Sequence, residues 1–266
     1  MEQFQNYVCE NIAYWTKRAP GYSDVNQGEL RTGQRSKWSH ALDGRIQDHF
    51  GGRDRKDIRV LDVGTGPGFF AILLADLGYR VTAIDYTQAM LEQAKHNAGM
   101  LARQIDFHRM NAEKLHFPDH SFDVVVSRNL TWNLPAPEQA YTQWARVLKP
   151  GGLLLNFDAN WYRYLYDAQA ETAHLSDREN VLATGAADDT AGTDVAAMEH
   201  IARQAPLSRR VRPQWDLDVL RSLGMSASAD PQVWKQVWTE DERINNASTP
   251  LFLVAAAKGV KTRRPL

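Results

Sequence analysis

Residues 59–70 read RVLDVGTGPGFF, a short apolar run that leads into three closely spaced glycines. Residues 60–63 have the length and composition of a buried strand in a parallel sheet. The glycines predict a tight turn near a ligand, because glycine accepts positive φ and lets a ligand approach the backbone closely. Residues 69–77 are apolar and of helical length. The stretch therefore predicts a strand, a ligand-binding turn and a helix.

The second apolar run, residues 81–84, ends at Asp85. An acidic side chain at the end of the second strand can accept hydrogen bonds from both hydroxyls of a ribose. The dinucleotide fingerprint G-x-G-x-x-G is absent, since the spacing here is G-x-G-x-G and Asp62 precedes the first glycine by two positions. No Gly-Lys-Ser/Thr follows, which excludes a P-loop. Asp62 would crowd a pyrophosphate but suits a ligand that carries an ammonium or a sulfonium group.

Three later segments extend the pattern: NAEKLHF at 111–117, SFDVVVSR at 121–128 and RVLKPGG at 146–152. Together with the glycine turn and Asp85, they resemble the motifs of class I S-adenosylmethionine-dependent methyltransferases. Within that family the chain looks most like the small-molecule branch that includes ubiquinone/menaquinone-biosynthesis methyltransferases. The resemblance implies an α/β, Rossmann-like, doubly wound sheet of seven strands with a helical cap. The sheet is expected to be mostly parallel, with an antiparallel last strand between the fifth and the sixth.

The resemblance also implies S-adenosyl-L-methionine as the cofactor and a set of residues that bind it. Asn111 stands where the family usually has Asp for the adenine amino group, and its amide oxygen can still accept that hydrogen bond. Residues 19–22 resemble an A-x-x-Y element that covers the site. The residues expected to bind the cofactor are Tyr22, Asp62, Gly64, Thr65, Gly66, Gly68, Asp85, Tyr86, Met90, Asn111, Ala112, Glu113 and Arg128.

The chain is expected to contain an N-terminal helical cap (1–50), a cofactor-binding core (51–157), a lid insertion (158–213) and a C-terminal part (214–266) that completes the sheet. In the cap, residues 11–18 and 36–50 predict helices, and Ala19-Pro20-Gly21-Tyr22 predicts a break between them. Residues 184–193 predict a mobile connection. The sixth strand is expected near 226–229 or 233–238, and the last strand at 251–257.

The catalytic residues cannot be identified from the cofactor motif, because methyl transfer mainly requires in-line placement of the reactants and exclusion of water. A base is needed only if the acceptor arrives protonated at the reacting atom. There are four catalytic candidates. His40 and His116 are the candidates for a base, and Arg128 and Asp158 could orient a polar acceptor or form salt bridges. The residues expected to line an apolar substrate pocket are Tyr14, Trp38, Asn129, Trp132, Trp161 and Tyr162.

The composition favours a globular protein that acts on a small molecule. The formal net charge is -1 with 24% charged residues, and a basic run occurs only at 258–264, so no polyanionic partner is favoured. A single cysteine excludes an internal disulfide and a cysteine-based metal site. Without a membrane span or a signal sequence, we expect a cytoplasmic monomer or homodimer with no metal and no nucleic-acid or membrane partner.

Two other functions stay open at this level: methylation of RNA or protein, and S-adenosylmethionine binding without catalysis. The nucleic-acid alternative is disfavoured because residues 133–136 (NLPA) do not match the Asn-Pro-Pro-aromatic motif of amino-group methylation.

Overall fold

A computed structural model describes residues 2–260, with side chains from residue 6 onward. The strands are β1 (Arg59–Val63), β2 (Arg80–Asp85), β3 (Ile105–Arg109), β4 (Phe122–Arg128), β5 (Leu148–Asp158), β6 (Met225–Asp230) and β7 (Phe252–Lys258). The helices are α1 (Glu2–Arg31), α2 (Gln34–Phe50), α3 (Phe69–Asp76), α4 (Gln88–Ala98), α5 (Pro137–Val147), α6 (Ala168–Thr184), α7 (Val195–Ala202), α8 (Gln214–Ser222), α9 (Trp234–Val237) and α10 (Glu240–Asn245). Short 3₁₀ turns connect several of these elements.

The seven strands form one sheet in the order β3-β2-β1-β4-β5-β7-β6. β7 pairs antiparallel with both β5 and β6, while the other neighbours pair in parallel. The predicted fold class and the position of the antiparallel strand are confirmed. The strand order reverses between β1 and β4, and ligands of such sheets bind outside the carboxyl ends of the strands at that switch point.

Helices cover both faces of the sheet because the central strands are apolar on both sides. On one face, Trp38 of α2 and Phe70 of α3 pack against Phe157 of β5, with ring centroids 5.2–5.5 Å apart. On the other face, Tyr141 and Trp144 of α5 pack with α8 and are completely buried. The helix predicted at 36–50 is confirmed by α2, and its residues Trp38, Leu42 and Ile46, which are spaced by four, are all buried.

The prediction of a helix break at Pro20 is wrong, because α1 runs through it without interruption. A proline inside a helix costs about 3 kcal/mol, since it removes one hydrogen bond and crowds the preceding turn. Tertiary contacts anchor α1 on both sides of that position. Before it, the Tyr7 hydroxyl donates to the backbone oxygen of Asn133 at 2.9 Å; after it, Ser23 exchanges hydrogen bonds with Asn97 of α4.

The segment between β5 and α8 is more regular than its sequence suggests. It contains α6 and α7, and α7 packs through Met198 and Ile201 against Tyr7 of α1. The stretch 184–193 is a turn region, in which the Asp189 backbone N–H donates to the side chain of Asn245. The alternative placement of a strand at 233–238 is wrong, because that stretch holds α9; the other alternative, near 226–229, is confirmed by β6.

A buried charge network joins this segment to the core. Arg212 forms ion pairs with Asp158 at the end of β5 (2.6 Å) and with Asp216 of α8 (2.7 Å). The Tyr141 hydroxyl donates to Asp216, and burial raises the pKa of that tyrosine well above its usual value. Because one buried guanidinium serves two buried carboxylates, removing it would leave both without a counter-charge, which is strongly destabilising.

Candidate functional site

A cleft opens at the carboxyl ends of β1, β2 and β4, at the switch point of the sheet. It encloses about 1150 Å³, including space open to solvent. Three parts of the chain form its walls: the loops after the strands, the first turn of α3, and one side of α1. Small-molecule sites are concave, mostly apolar and located at such switch points, so this cleft is the candidate site.

The glycine turn after β1 brings the backbone to the floor of the cleft. The Gly66 backbone N–H donates to Oδ2 of Asp85 at 3.0 Å, and the backbone N–H and hydroxyl of Thr87 donate to Oδ1. These three bonds fix the carboxylate at the edge of the cleft and leave one of its about four lone-pair sites for a hydroxyl group of a ligand. A Cβ atom at Gly66 would have the Tyr22 ring 3.6 Å away as its nearest neighbour and would occupy cleft space. This geometry fits a ribose lying across the turn.

Asp62 lies below the same turn and is almost inaccessible to solvent. One carboxylate oxygen accepts a hydrogen bond from the Thr65 hydroxyl at 2.6 Å. Burial and, to a smaller extent, the nearby Asp85 carboxylate raise the pKa of Asp62 to about 7, although hydrogen bonds from Thr65 and the Ala71 backbone and the Arg128 charge oppose the shift. A cation in the cleft would favour the ionised form, so this carboxyl fits a ligand with an ammonium or sulfonium group.

The loop after β3 forms the wall beyond Asp85. Oδ1 of Asn111 accepts the Glu113 backbone N–H at 2.7 Å and has a second lone pair available. The Glu113 carboxylate accepts the Ala136 backbone N–H at 2.5 Å, which ties this loop to the segment after β4. Burial raises the pKa of Glu113. An adenine placed here would meet an amide side chain at its edge and the apolar Met90 and Met110 side chains, which also line the cleft.

Arg128 at the end of β4 occupies the wall between α1 and the sheet. Its guanidinium forms a two-pronged ion pair with Glu29 of α1, and Asn26 donates to the same carboxylate at 2.9 Å. The guanidinium also lies 4.7 Å from the centre of the Trp38 ring and 4.8 Å from that of Phe69. Burial raises the pKa of Glu29, although the Arg128 charge opposes that shift. The pair holds α1 against the core beside the cleft.

One side of α1 forms the outer wall of the cleft. The contributing residues are Val8, Asn11, Ile12, Trp15, Tyr22 and Asn26. The segment after β4 lies opposite; Asn129 begins it with φ of +54°, a conformation that Asn tolerates better than most residues. Asn11 and Asn133 exchange side-chain hydrogen bonds of 3.1 and 2.9 Å across this end of the cleft. Apart from Tyr22, the α1 residues were not among the sequence candidates.

The structure brings together most of the residues expected to bind the cofactor. Those that line the cleft are Tyr22, Asp62, Gly64, Thr65, Gly66, Asp85, Tyr86, Met90, Asn111, Ala112, Glu113 and Arg128. Gly68 does not line it, because the position faces α4, where a Cβ atom would lie 3.0 Å from the Cβ of Ala94. Its place in the turn serves the packing of two helices.

The residues expected to form the substrate pocket lie mostly behind the cleft wall. Asn129 lines the cleft, whereas Tyr14, Trp38, Trp132, Trp161 and Tyr162 do not. Trp38 is a core residue with no exposed surface. Trp132 packs against Tyr162 with ring centroids 4.8 Å apart, and its indole N–H donates to the Asn129 backbone oxygen. These rings support the segment after β4 from the rear.

Of the four catalytic candidates, only Arg128 lines the cleft. His40 is exposed on α2, away from it. Asp158 is completely buried, and its oxygens accept from Arg212, from the backbone N–H groups of Trp132 and Ala159, and from the Trp161 indole. Asp158 therefore positions Trp132 rather than facing a ligand. His116, the other base considered, is also outside the cleft lining.

Residues 61–156 match a family model described as a methyltransferase domain. A demethylmenaquinone methyltransferase of Renibacterium salmoninarum is 35% identical over 146 residues, which are 55% of this chain and 57% of that protein. A ubiquinone biosynthesis O-methyltransferase of Maricaulis maris is 34% identical over 114 residues, which are 41% of this chain and 45% of that protein. The chain thus spans about half the length of these relatives.

A solved structure supports the same fold. A SAM dependent methyltransferase from Aquifex aeolicus is 18% identical and superposes with a TM-score of 0.53, covering 88% of this chain and 97% of that one. Within residues 2–260, no helix is both long and apolar enough to cross a membrane. The tail expected to be basic begins at Lys258, whose ammonium donates to backbone oxygens of Ala145 and Leu148; residues 261–264 lie outside the described part of the chain.

Proposed function

We propose that the chain uses S-adenosylmethionine to methylate a small, partly apolar organic acceptor, and the match of residues 61–156 to a family model described as a methyltransferase domain supports this proposal. The observation that carries this proposal is the cleft itself. It combines a glycine turn, a fixed carboxylate at Asp85 and a buried carboxyl at Asp62 within one concave site. One relative is named a ubiquinone biosynthesis O-methyltransferase and another a demethylmenaquinone methyltransferase, which supports an organic small molecule as the acceptor.

S-adenosylmethionine, when bound, supplies a methyl group that its sulfonium has already activated for displacement. The protein then has to hold the donor and acceptor in line and keep water away. Asp85 would hold the ribose, Asn111 the adenine edge, and Asp62 the positively charged end of the cofactor. Tyr22 and the Glu29–Arg128 pair hold α1 over the glycine turn, which limits access of water from that side.

Few of the titratable side chains in the cleft are available for proton transfer. The titratable side chains that line it, within the described part of the chain, are Tyr22, Asp62, Asp85, Tyr86, Glu113 and Arg128. Of these, Arg128 is committed to Glu29, and Asp85 to the turn. Glu113 is the one carboxylate near the end of the cleft that α1 closes, so it is the group placed to accept a proton from an acceptor there.

A transfer assay tests the proposal. The protein is incubated with methyl-labelled S-adenosylmethionine and a cell extract that has been separated by ultrafiltration into small molecules and macromolecules. We expect label to enter only the small-molecule fraction, together with release of S-adenosylhomocysteine, and we expect Asp85→Ala to lower both strongly. Label entering only the RNA or protein fraction would reject the proposed acceptor class. Cofactor binding without any transfer would instead favour a non-catalytic binding protein.

A further inference from the structure

The cleft continues beyond the expected cofactor positions into a space under α1, which we call the α1 chamber. Its lining residues are Val8, Asn11, Ile12, Trp15, Asn133 and Leu134. None of them is among the residues assigned to the cofactor, so the chamber is the place left for the acceptor if the proposed function holds. Valine, isoleucine, leucine and tryptophan side chains would bind an apolar molecule by removing its surface from water.

The polar groups of the α1 chamber are neutral and already paired with one another. The Asn11 amide nitrogen donates to both the side-chain and the backbone oxygen of Asn133 at 3.1 Å, and the Asn133 amide nitrogen donates back at 2.9 Å. The Tyr7 hydroxyl donates to the same two Asn133 oxygens. This network supplies no cation, so nothing in it would compensate the charge of an anionic acceptor.

The charged groups of the cleft are mainly acidic. Asp62, Asp85 and Glu113 line it, and Arg128 is the one lysine or arginine side chain among the described residues that do so. Glu29 binds that guanidinium with both carboxylate oxygens, so its charge is largely neutralised. S-adenosylmethionine carries a sulfonium, an ammonium and a carboxylate, a net charge of one positive unit. Binding it leaves an excess of negative charge in the cleft.

Glu113 places one of these negative charges next to the α1 chamber. Its carboxylate is tied to the Ala136 backbone N–H, in the same segment as Asn133. The pKa of Tyr7 is raised mainly by burial and also by the negative charge of Glu113, and the Tyr7 hydroxyl donates a hydrogen bond to Asn133. Like charges in a poorly solvated site repel each other much more strongly than in bulk water.

We propose that the α1 chamber accepts a neutral or cationic molecule with an apolar body, and that Glu113 excludes anionic acceptors. Glu113 is thus a specificity determinant. Carboxylates and phosphate esters are rejected, whereas neutral phenols and amines enter. A residue that only tethered the loop would not discriminate by charge, which separates this role from a structural one.

The test uses three ligands with the same ring: 2-naphthol, 2-naphthylmethylamine and 2-naphthoate. Each is titrated by calorimetry at pH 7.5 into the full chain saturated with S-adenosylhomocysteine. Saturation is established first, and its failure would reject the proposed function rather than this inference. We expect the alcohol and the amine to bind at least about tenfold more tightly than the carboxylate. Equal affinities, or no binding by any of the three, would overturn the proposal.

Two variants and a control identify the residues responsible. Glu113→Gln removes the charge but keeps an oxygen for the Ala136 N–H, and should raise the affinity for naphthoate at least about fivefold while the affinity for naphthol stays constant. Glu138→Gln removes the same charge from an exposed position in the first turn of α5 and should change neither affinity. Ile12→Ala should weaken all three ligands alike without affecting S-adenosylhomocysteine. Unchanged discrimination in Glu113→Gln would overturn the role of Glu113.

Discussion

Gly68 and Gly78 provide a matched pair for testing what the third glycine of the turn does. Both have nearly the same left-handed φ, +94° and +93°. A Cβ at Gly68 would lie 3.0 and 3.1 Å from the Cβ and Cα of Ala94, whereas a Cβ at Gly78 meets nothing within 4 Å. Gly78→Ala should therefore cost only the backbone strain, about 1–2 kcal/mol. Gly68→Ala should cost that plus about 1–3 kcal/mol for overpacking against α4.

Urea unfolding of both variants measures this difference, and calorimetry with S-adenosylhomocysteine shows where it acts. Because Gly68 faces α4 and not the cleft, we expect Gly68→Ala to lose stability but to retain cofactor affinity while folded. Adding Ala94→Gly removes the Cβ from this contact but leaves the Cα at 3.1 Å, so it should relieve the overlap in part, and the double variant should be more stable than the sum of the single changes by at least about 0.5 kcal/mol. Equal costs for Gly68→Ala and Gly78→Ala, or additive costs in the double variant, would refute the packing argument.

Three further predictions concern the charged groups of the cleft. Asp85→Ala should weaken S-adenosylhomocysteine by about 1.5–3 kcal/mol in calorimetry, since it removes hydrogen bonds to a charged group; unchanged affinity would reject its role. The pKa of Asp62 is about 7, so cofactor affinity should rise as pH increases through 7, when the carboxylate forms, and Asp62→Asn should flatten this dependence; the same slope in both proteins would contradict it. Glu29→Gln should destabilise the protein by about 3–5 kcal/mol in urea unfolding, because it leaves Arg128 buried without its partner. The exposed pair Arg35–Asp76 is its control, and Asp76→Asn should cost less than about 1 kcal/mol; similar losses in both variants would show that burial of the Glu29 pair adds nothing.

The sequence allowed the sheet and the residues along the glycine turn side of the cleft to be predicted because their determinants are local. The turn after β1 depends on closely spaced glycines, and the Asp85 carboxylate accepts hydrogen bonds from residues 66 and 87, which are at most 19 positions away along the chain. The β5, β7 and β6 order came from the family resemblance, since strand order is not encoded in any single stretch. Even within the turn, the sequence alone did not show that Gly66 faces the cleft whereas Gly68 packs against α4.

The side of the cleft formed by α1 could not be predicted in the same way because it depends on contacts distant in sequence. Aromatic residues signal burial without indicating which cavity they approach, and Trp38 and Trp132 are buried behind the cleft wall. Because a helix break was expected at Pro20, the spacing of the α1 residues that line the cleft was not recognised. In an unbroken helix, residues 8, 12, 15, 22 and 26 recur at intervals of four, three, seven and four, which places them on one side of α1. All five line the cleft.

The same tertiary contacts keep α1 continuous through Pro20 and hold it in place as one side of the cleft. Contacts at Tyr7 and Ser23 hold the helix on each side of the proline, and they outweigh a local cost of about 3 kcal/mol. The continuous helix then carries Glu29 at one end to Arg128, and Asn11 nearer the other end to Asn133. The α1 helix therefore supplies both the carboxylate that neutralises Arg128 and the neutral amide that closes the α1 chamber. Changes in α1 should consequently alter which acceptor binds more readily than changes in the loops after the strands, which we propose to bind the cofactor.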